Sequence, residues 1–371
     1  MSQNPRCRLG NDLTCGFVEF PHADISHTDN QSASLVYIVV LNWNGKEDTL
    51  ECLQSISFIY FPGLQVVVVD NGSDDGSTIA IRENFPTVTI LETGENLGYA
   101  GGNNVGIQYA LENDADYVLV LNNDTVVDPQ VVRAFVDAAL SLPEGGIFCG
   151  KIYFYSDPTR LYSTGATFSK EKMDFVVPAM GKFDNSDGDF DTVKETDIAV
   201  GCALFATREV LEKVGVFDER FFLVHEESDL CYRAMRAGYK VFFIPQAKLR
   251  HKGSVSFDGS DSPLMHYFWA RNRLLWAEHH LSLLNRFRLY GRVLSELITA
   301  ILPKRVTTRS TPISFDKQAL WALATWSKTL KRSLRAPVFK AELYGLCDYF
   351  FRKFGDCPPK VRALRQSKKK T

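Results

Sequence analysis

The sequence predicts an α/β fold: an open, largely parallel sheet with helices on both faces. Three observations carry that expectation. Short apolar runs alternate with helical stretches from Leu35 to Leu140, the β-α repeat from which such sheets are built. The run Val66-Val67-Val68-Val69 is β-branched and apolar at every position, which suits a strand buried on both faces. Each of the first four strands then ends in a polar cluster, at the carboxyl edge where open α/β sheets bind ligands.

Taken in order, Leu35–Leu41 is the first strand, with a helix near Lys46–Ser57. Gln65–Val69 is the second strand, Ser77–Asn84 a short helix and Thr87–Leu91 the third strand. Tyr99–Glu112 reads as a helix and Tyr117–Leu121 as the fourth strand. Pro129–Leu140 is a helix capped by Asp128, with proline at its first position. After Gly146 the pattern changes. Ile147–Tyr155, Ala166–Phe175 and Ile198–Ala206 read as strands, and Phe183–Asp191 as a Gly/Asp/Asn-rich loop. Glu226–Arg236 is a helix stopped by Gly238, and Lys240–Ile244 a strand ended by Pro245. This half supplies a mixed extension of the sheet that holds an acceptor.

From Pro263 onward the reading is helical. Leu284, Phe287, Leu294, Leu297, Ile298 and Ile301 recur at helical spacing, flanked by Arg286, Arg288 and Arg292. A basic amphipathic helix of this kind suits a membrane surface, or packs on the globular body. Trp321, Trp326 and Tyr349-Phe350-Phe351 are candidate interfacial aromatics. The expected organisation is a loose polar extension over 1–34, a catalytic domain over 35–262 with halves at 35–145 and 146–262, and a helical basic region over 263–371.

The net charge of −2 conceals a split. Residues 281–371 hold 20 Lys and Arg against 5 Asp and Glu, leaving 22 against 39 in the rest. Such asymmetry points the tail at a polyanion, an anionic membrane surface or the acidic body itself. The eight cysteines form no Cys-x-x-Cys pair and no zinc spacing. Buried reduced thiols in a cytoplasmic protein are the simplest account. The start of the chain lacks signal-peptide character, and no apolar run approaches the ~20 residues of a spanning helix. The expected location is cytoplasmic, peripheral on the inner face of the cell membrane.

The polar clusters carry the chemistry. They are Asn42-Trp43-Asn44-Gly45, Asp70-Asn71-Gly72-Ser73, Asn96 to Asn104 with its glycines, and Asn122-Asn123-Asp124. In a parallel sheet all four gather at one edge. A flat ring, a carboxylate, a glycine-rich helix entry and a set of oxygen ligands can together hold a base, a ribose and a diphosphate. Amide and carboxylate oxygens suit Mg²⁺ or Mn²⁺. Neither Gly-x-Gly-x-x-Gly nor a Gly-Lys-Ser/Thr phosphate loop is present, which disfavours a dehydrogenase or a nucleoside triphosphatase. A fifth cluster, His225-Glu226-Glu227-Ser228-Asp229, packs three carboxylates at a helix start. There the dipole relieves their repulsion, and one can serve as a general base. His251 follows a strand and is a candidate metal ligand. Arg271 and Arg273 are candidate diphosphate contacts, or solvated helix charges.

In this order the motifs resemble family 2 glycosyltransferases of the GT-A fold, most nearly the bacterial rhamnosyltransferase-type members. The resemblance spans roughly Leu35 to Arg273. It implies that Trp43, beside Asn42, stacks on the nucleobase, that Asp70 bonds its imide edge, and that Gly98 and Asn104 line the nucleotide-sugar pocket. It implies that Asn122-Asn123-Asp124 stands at the family's Asp-x-Asp motif, with Asp124 and His251 on the metal and Asn122 near the ribose or the metal's water shell. The catalytic base falls at Glu227 or Asp229. Glu stands where the family often has Asp, which moves the carboxylate by about one methylene. The implied reaction is inverting transfer from a dTDP- or UDP-linked sugar to a glycan or polyprenyl-diphosphate-linked acceptor, with Mg²⁺ or Mn²⁺ and with no nucleic acid among the partners. Rivals are a sugar-1-phosphate nucleotidyltransferase and a non-catalytic sugar-nucleotide-binding scaffold.

Overall fold

A computed structural model of the chain describes residues 34–184, 188–253, 262–302 and 330–366. The expected loose extension, apart from Ser34, and the aromatics Trp321 and Trp326 lie outside the described residues. Seven elements open the fold: β1 (Val36–Asn42), α1 (Lys46–Ile56), β2 (Leu64–Asp70), α2 (Ser77–Asn84), β3 (Thr89–Glu92), α3 (Gly98–Glu112) and β4 (Tyr117–Asn122). The four strands pair in parallel, in the order β3-β2-β1-β4. Alternate residues of β1 divide between two apolar layers. Val36, Ile38 and Val40 pack towards α1, while Tyr37 and Val39 pack towards α3. That double burial is why these strands read as unbroken apolar runs.

The next elements are β5 (Thr125–Val127), α4 (Val131–Ser141), β6 (Gly145–Phe154), β7 (Asp157–Ser163), β8 (Thr167–Ser169), β9 (Asp174–Val176), β10 (Lys194–Thr196) and β11 (Ala203–Thr207). They are followed by α5 (Arg208–Val214), α6 (Glu226–Arg236) and β12 (Lys240–His251). The full order is β10-β12-β6-β11-β4-β1-β2-β3. β11 runs antiparallel to β4 and β6, and β12 parallel to β6, so the extension of the sheet is mixed.

Several boundaries differ from expectation for local reasons. Asp128 accepts a bond from Gln130 N–H at 2.7 Å, and this short turn delays α4 to Val131. The single strand expected over Ala166–Phe175 is a hairpin of β8 and β9, with Met173 at φ +48° in its turn. Residues 198–202 leave the strand expected over Ile198–Ala206: Ile198 makes an isolated antiparallel bridge to Ala166, and the strand itself is confined to Ala203–Thr207. β12 does not stop at Pro245. A register shift between Ile244 and Lys248 absorbs the missing donor, and the strand runs on to His251. The strand β7 and the helix α5 have no counterpart in the sequence reading.

The helices α7 (Pro263–His280), α8 (Leu283–Ile301), α9 (Pro337–Phe350) and α10 (Pro359–Gln366) complete the described fold. α7 packs on α9 and α10, and its apolar side chains join Phe222 and Leu223. α8 divides its apolar arc. Leu289, Tyr290, Val293 and Leu297 face the body, while Leu283, Leu284, Phe287, Leu294 and Ile298 are 44–69% exposed. Among the described residues no helix is long and apolar enough to cross a membrane.

α3 lies unusually close to the sheet. A Cβ at Gly102 would fall 2.4 Å from Leu41 Cδ1, and one at Gly106 2.3 Å from Val39 Cγ1. With Gly98 these glycines recur every four residues and form one face of the helix. Gly106→Ala is therefore expected to destabilise the fold by roughly 1–3 kcal/mol through overpacking, despite the better helix propensity of alanine. Urea unfolding measures this, and an unchanged or raised midpoint would contradict the close approach.

Candidate active site

A cleft of about 340 Å³ opens at the carboxyl edge of the parallel strands. Trp43, Gly98, Asn122, Asn123, Asp124, Glu227 and His251 all line it. Glu227 and His251 lie more than a hundred residues beyond Asp124, so folding has gathered distant segments. Two devices do this. β5 pairs antiparallel with the end of β12, with His251 opposite Thr125, and Lys252 N–H bonds Asp124 O at 3.0 Å. The segment Asp218–His225 then delivers the start of α6 to the same cleft.

His251 Nε2 lies 3.1 Å from Asp124 Oδ1. Both atoms are buried and face each other without a hydrogen bond, and Asn122 Oδ1 has no hydrogen-bond partner at all among the described residues. Buried polar atoms without partners are costly. Adjacent ligands of an octahedral cation with bonds of ~2.1 Å stand about 3 Å apart, so this pair fits a hard divalent ion. Tyr162 packs edge-on against the His251 ring at 4.7 Å and limits its rotation.

Glu226 and Glu227 open α6 side by side, each with an unpartnered buried Oε2. Burial, and then the neighbouring Glu227, raises the Glu226 carboxyl well above the ordinary glutamate range. Burial also raises Glu227, offset in part by backbone N–H groups of Glu227, Ser228, His225 and Gly201. Burial, with the charge of Arg273, lowers His225 to about 3, so its ring is neutral.

Asp229 points elsewhere. Its Oδ1 accepts from His279 at 3.1 Å and His280 at 2.8 Å, and its Oδ2 from Arg233 at 2.7 Å. Burial opposes ionisation, but the two histidines and Arg233 hold this carboxyl far below the usual range. A carboxylate so engaged is a poor proton acceptor, and Asp229 does not line the cleft. Asp229, His279 and His280 do bring three potential ligand atoms within 4.8 Å of one another. Arg233 on the carboxylate, Arg220 at 3.1 Å from His279 Nε2 and Arg236 on the carbonyls of both histidines make that spot hostile to a cation.

Other expected ligand contacts are occupied by the scaffold. Asn42 donates to Asp70, Ser73 and Ser77 and accepts from Gly45 and Thr49. Asp70 accepts from Asn42 at 2.8 Å and from Ser73 N–H at 3.0 Å. Asn104 ties α3 to both backbone polar groups of Phe217. None of the three lines the cleft. Arg271 is fully buried, with its guanidinium on the carbonyls of Gly355, Arg220 and Phe221, and is not free for a diphosphate. Arg273 pairs with Glu296 at 3.2 Å and also stands off the cleft wall. The Lys/Arg side chain that does line the cleft, among the described residues, is Arg362 of α10. Sequence reasoning passed over it, because a lone arginine in a basic tail carries no signal. Tyr99, Tyr162, Gly201, Glu226 and Trp269 also line the cleft, and of these Tyr99 and Glu226 stand within the polar clusters that the sequence shows.

Residues 37–215 match the family described as glycosyl transferase family 2. The chain is 24% identical to dTDP-rhamnosyl transferase RfbF of Shigella flexneri over 78% of its length and 94% of the relative's. It is 29% identical to the N-acetylglucosaminyl-diphospho-decaprenol L-rhamnosyltransferase of Mycobacterium tuberculosis, over 54% and 70%. Among solved structures it resembles the mannosyltransferase PcManGT of Pyrobaculum calidifontis in complex with GDP-Man and Mn²⁺. There the TM-score is 0.52 at 17% identity, covering 87% of this chain and 88% of that one.

The raised Glu226 carboxyl has a consequence for stability. Below about pH 4.3 it is protonated in folded and unfolded chains alike. As pH rises towards its folded value the unfolded chain ionises first, and stability is lost. Glu226→Gln keeps the shape and removes the titration. Its thermal midpoint relative to the parent is expected to grow from about pH 5 to about pH 8. A difference that stays constant or shrinks would mean that the folded protein holds Glu226 ionised.

Proposed function

We propose that the chain, whose residues 37–215 match glycosyl transferase family 2 on a fold shared with a solved mannosyltransferase, is a metal-dependent inverting glycosyltransferase. It moves a sugar, rhamnose in the first instance, from a dTDP- or UDP-linked donor to a hydroxyl of a lipid-diphosphate-linked or growing glycan. One observation carries the reading. The facing atoms of Asp124 and His251, 3.1 Å apart and without a hydrogen bond, and the unbonded Oε2 of Glu227 share a single cleft. A cation pair and a base are the two devices that this transfer needs. The names of the two rhamnosyl-transferring relatives support the sugar, and the mycobacterial one supports a lipid-diphosphate acceptor.

Asp124 and His251 would hold the cation, Mg²⁺ or Mn²⁺. When bound, such an ion stabilises negative charge on a departing diphosphate. The half-buried Trp43 offers its face to the nucleobase. The acceptor hydroxyl gives its proton to Glu227 Oε2. Its oxygen bonds the anomeric carbon as the bond from that carbon to the diphosphate oxygen breaks. One displacement inverts the centre and needs no second nucleophile. A raised carboxyl suits Glu227 to this work, since its conjugate base is stronger than an ordinary glutamate. Burial disfavours a second negative charge on Glu226 beside it. Arg362, which already pairs with Asp356 at 2.6 Å, adds a cation to the cleft lining, where the diphosphate of donor or acceptor would compete with that carboxylate for it.

The expected outcomes separate these roles. Glu227→Gln spares dTDP affinity and lowers turnover by about 10²–10⁴. Asp124→Asn abolishes the gain in dTDP affinity on adding Mn²⁺, and Arg362→Gln raises a Michaelis constant about tenfold with turnover little changed. Calorimetry and a radiolabelled transfer assay over dTDP- and UDP-sugars read all three. Full turnover in the Glu227→Gln protein would refute the assignment of the base.

The exposed stripe Leu283, Leu284, Phe287, Leu294 and Ile298, beside a strongly basic tail, is the surface by which the chain would meet an anionic membrane. Flotation with phosphatidylglycerol vesicles is expected to carry the protein, and Phe287→Glu with Leu294→Glu to abolish it. Equal flotation of both proteins would sink the idea.

A further inference from the structure

The start of α6 is reached through a segment of unfavourable backbone. Phe222, Val224 and His225 have φ of +64°, +72° and +77°, a region that non-glycine residues seldom occupy and that is most costly for a β-branched one. Leu223 N–H bonds Phe221 O at 2.7 Å across Phe222, a tight γ-turn of the strained hand. Glu226 and Glu227 come at once after it. Something outside the segment must hold it.

Two buried neighbours on α7 do so. Asn272 Nδ2 reaches the carbonyls of Phe221, Leu223 and Val224 at 2.9, 2.7 and 2.8 Å. Arg271 Nη2 reaches Phe221 O at 2.8 Å and Arg220 O at 3.2 Å. Arg271 Nε also bonds Asn272 Oδ1 at 2.9 Å, which fixes the amide with its donors towards the segment. Both side chains are fully buried. Phe222 O turns the opposite way and accepts from Tyr99 and Ala100 N–H of α3 at 2.7 and 3.2 Å. A Cβ at Gly98 would fall 2.5 Å from that oxygen, so glycine is what lets this anchor form.

We propose that Arg271 and Asn272 are positioning residues, a clamp that holds the strained segment 221–225 and thereby sets Glu226 and Glu227 against the cleft. The proposal rests on the reading of Glu227 as base. It gives α7, which lies beyond the family-matched residues, a part in the chemistry without contact to substrate. Every carbonyl of the segment from Phe221 to Val224 is bonded either to this clamp or to α3. With Asn272 shortened, Leu223 O and Val224 O lose their donor, and the backbone is free to relax three residues before the base.

The test uses the full chain. Asn272→Ala is expected to fold, to bind dTDP with Mn²⁺ within about twofold of the parent, and to lose about a hundredfold in turnover, the scale of a misplacement of about 1 Å. Asn272→Ser keeps one donor and serves if the alanine protein does not fold. Adding Val224→Gly, which adopts a positive φ without help, should return about tenfold of the lost turnover in either background. A folded Asn272 variant with near-parental turnover, or a parallel loss of dTDP affinity and turnover, overturns the clamp. So does a failure of the glycine to restore anything. Absence of transfer by the parent would instead overturn the glycosyltransferase reading.

Discussion

The site depends on one register. β5 is three residues long, and it pairs with the end of β12 so that His251 faces Thr125. A slip of one residue would turn His251 to the other face of the sheet and part it from Asp124. The pairing is guarded on both sides. Val127 and Leu249 are buried in the same apolar layer, and the register shift past Pro245 sets which residues of β12 can reach β5. A bulge that looks like a defect in the strand is thus what aims the histidine.

Burial gives each acid of the cluster at α6 a different task. Three carboxylates in four residues would repel if all were ionised and exposed to one another. The fold separates them. Asp229 leaves the cleft for two histidines and Arg233. Burial raises the Glu226 carboxyl well above the ordinary range, while backbone donors offset part of the same effect at Glu227. The positive end of the α6 dipole acts on all three, since Glu226, Glu227 and Asp229 lie in its first turn. Neighbours in sequence thus meet three different environments, and on the proposed reading only Glu227 is placed to act as a base.

How much of this was legible can be argued from particular residues. The parallel half was readable because double burial leaves an unambiguous pattern, as in Val66–Val69. The edge clusters were readable because strand ends in such sheets converge. Glu226–Arg236 was readable as a helix from its acids and its glycine stop. Orientation was not readable. Nothing in the spacing of Glu227 and Asp229 says which carboxylate points inward, since that is decided by His279 and His280, fifty residues on. Asp70 and Asn104 have the composition of ligand contacts, but in the fold they bond the backbone and side chains around them. Arg271 was misjudged for a related reason. A guanidinium bound to carbonyls and one awaiting a phosphate have the same sequence signature.

The family-matched region covers only one side of the cleft. Residues 37–215 include Trp43 and Asp124 but not Glu227, His251 or Arg362. The cleft is completed by residues C-terminal to that region, including His251, which with Asp124 would hold the cation. Leu264, Phe268 and Trp269 of α7 and Arg362 of α10 also line it, and the same α7 carries Arg271 and Asn272. On the reading of Glu227 as base, a helix that both lines the cleft and holds the segment before Glu227 would couple the two. Changes that adapt this wall to a new acceptor would then also move Glu227 unless the clamp is kept. The wall should therefore vary through side chains that face the cleft, such as Leu264 and Trp269, while the buried pair Arg271 and Asn272 stays fixed.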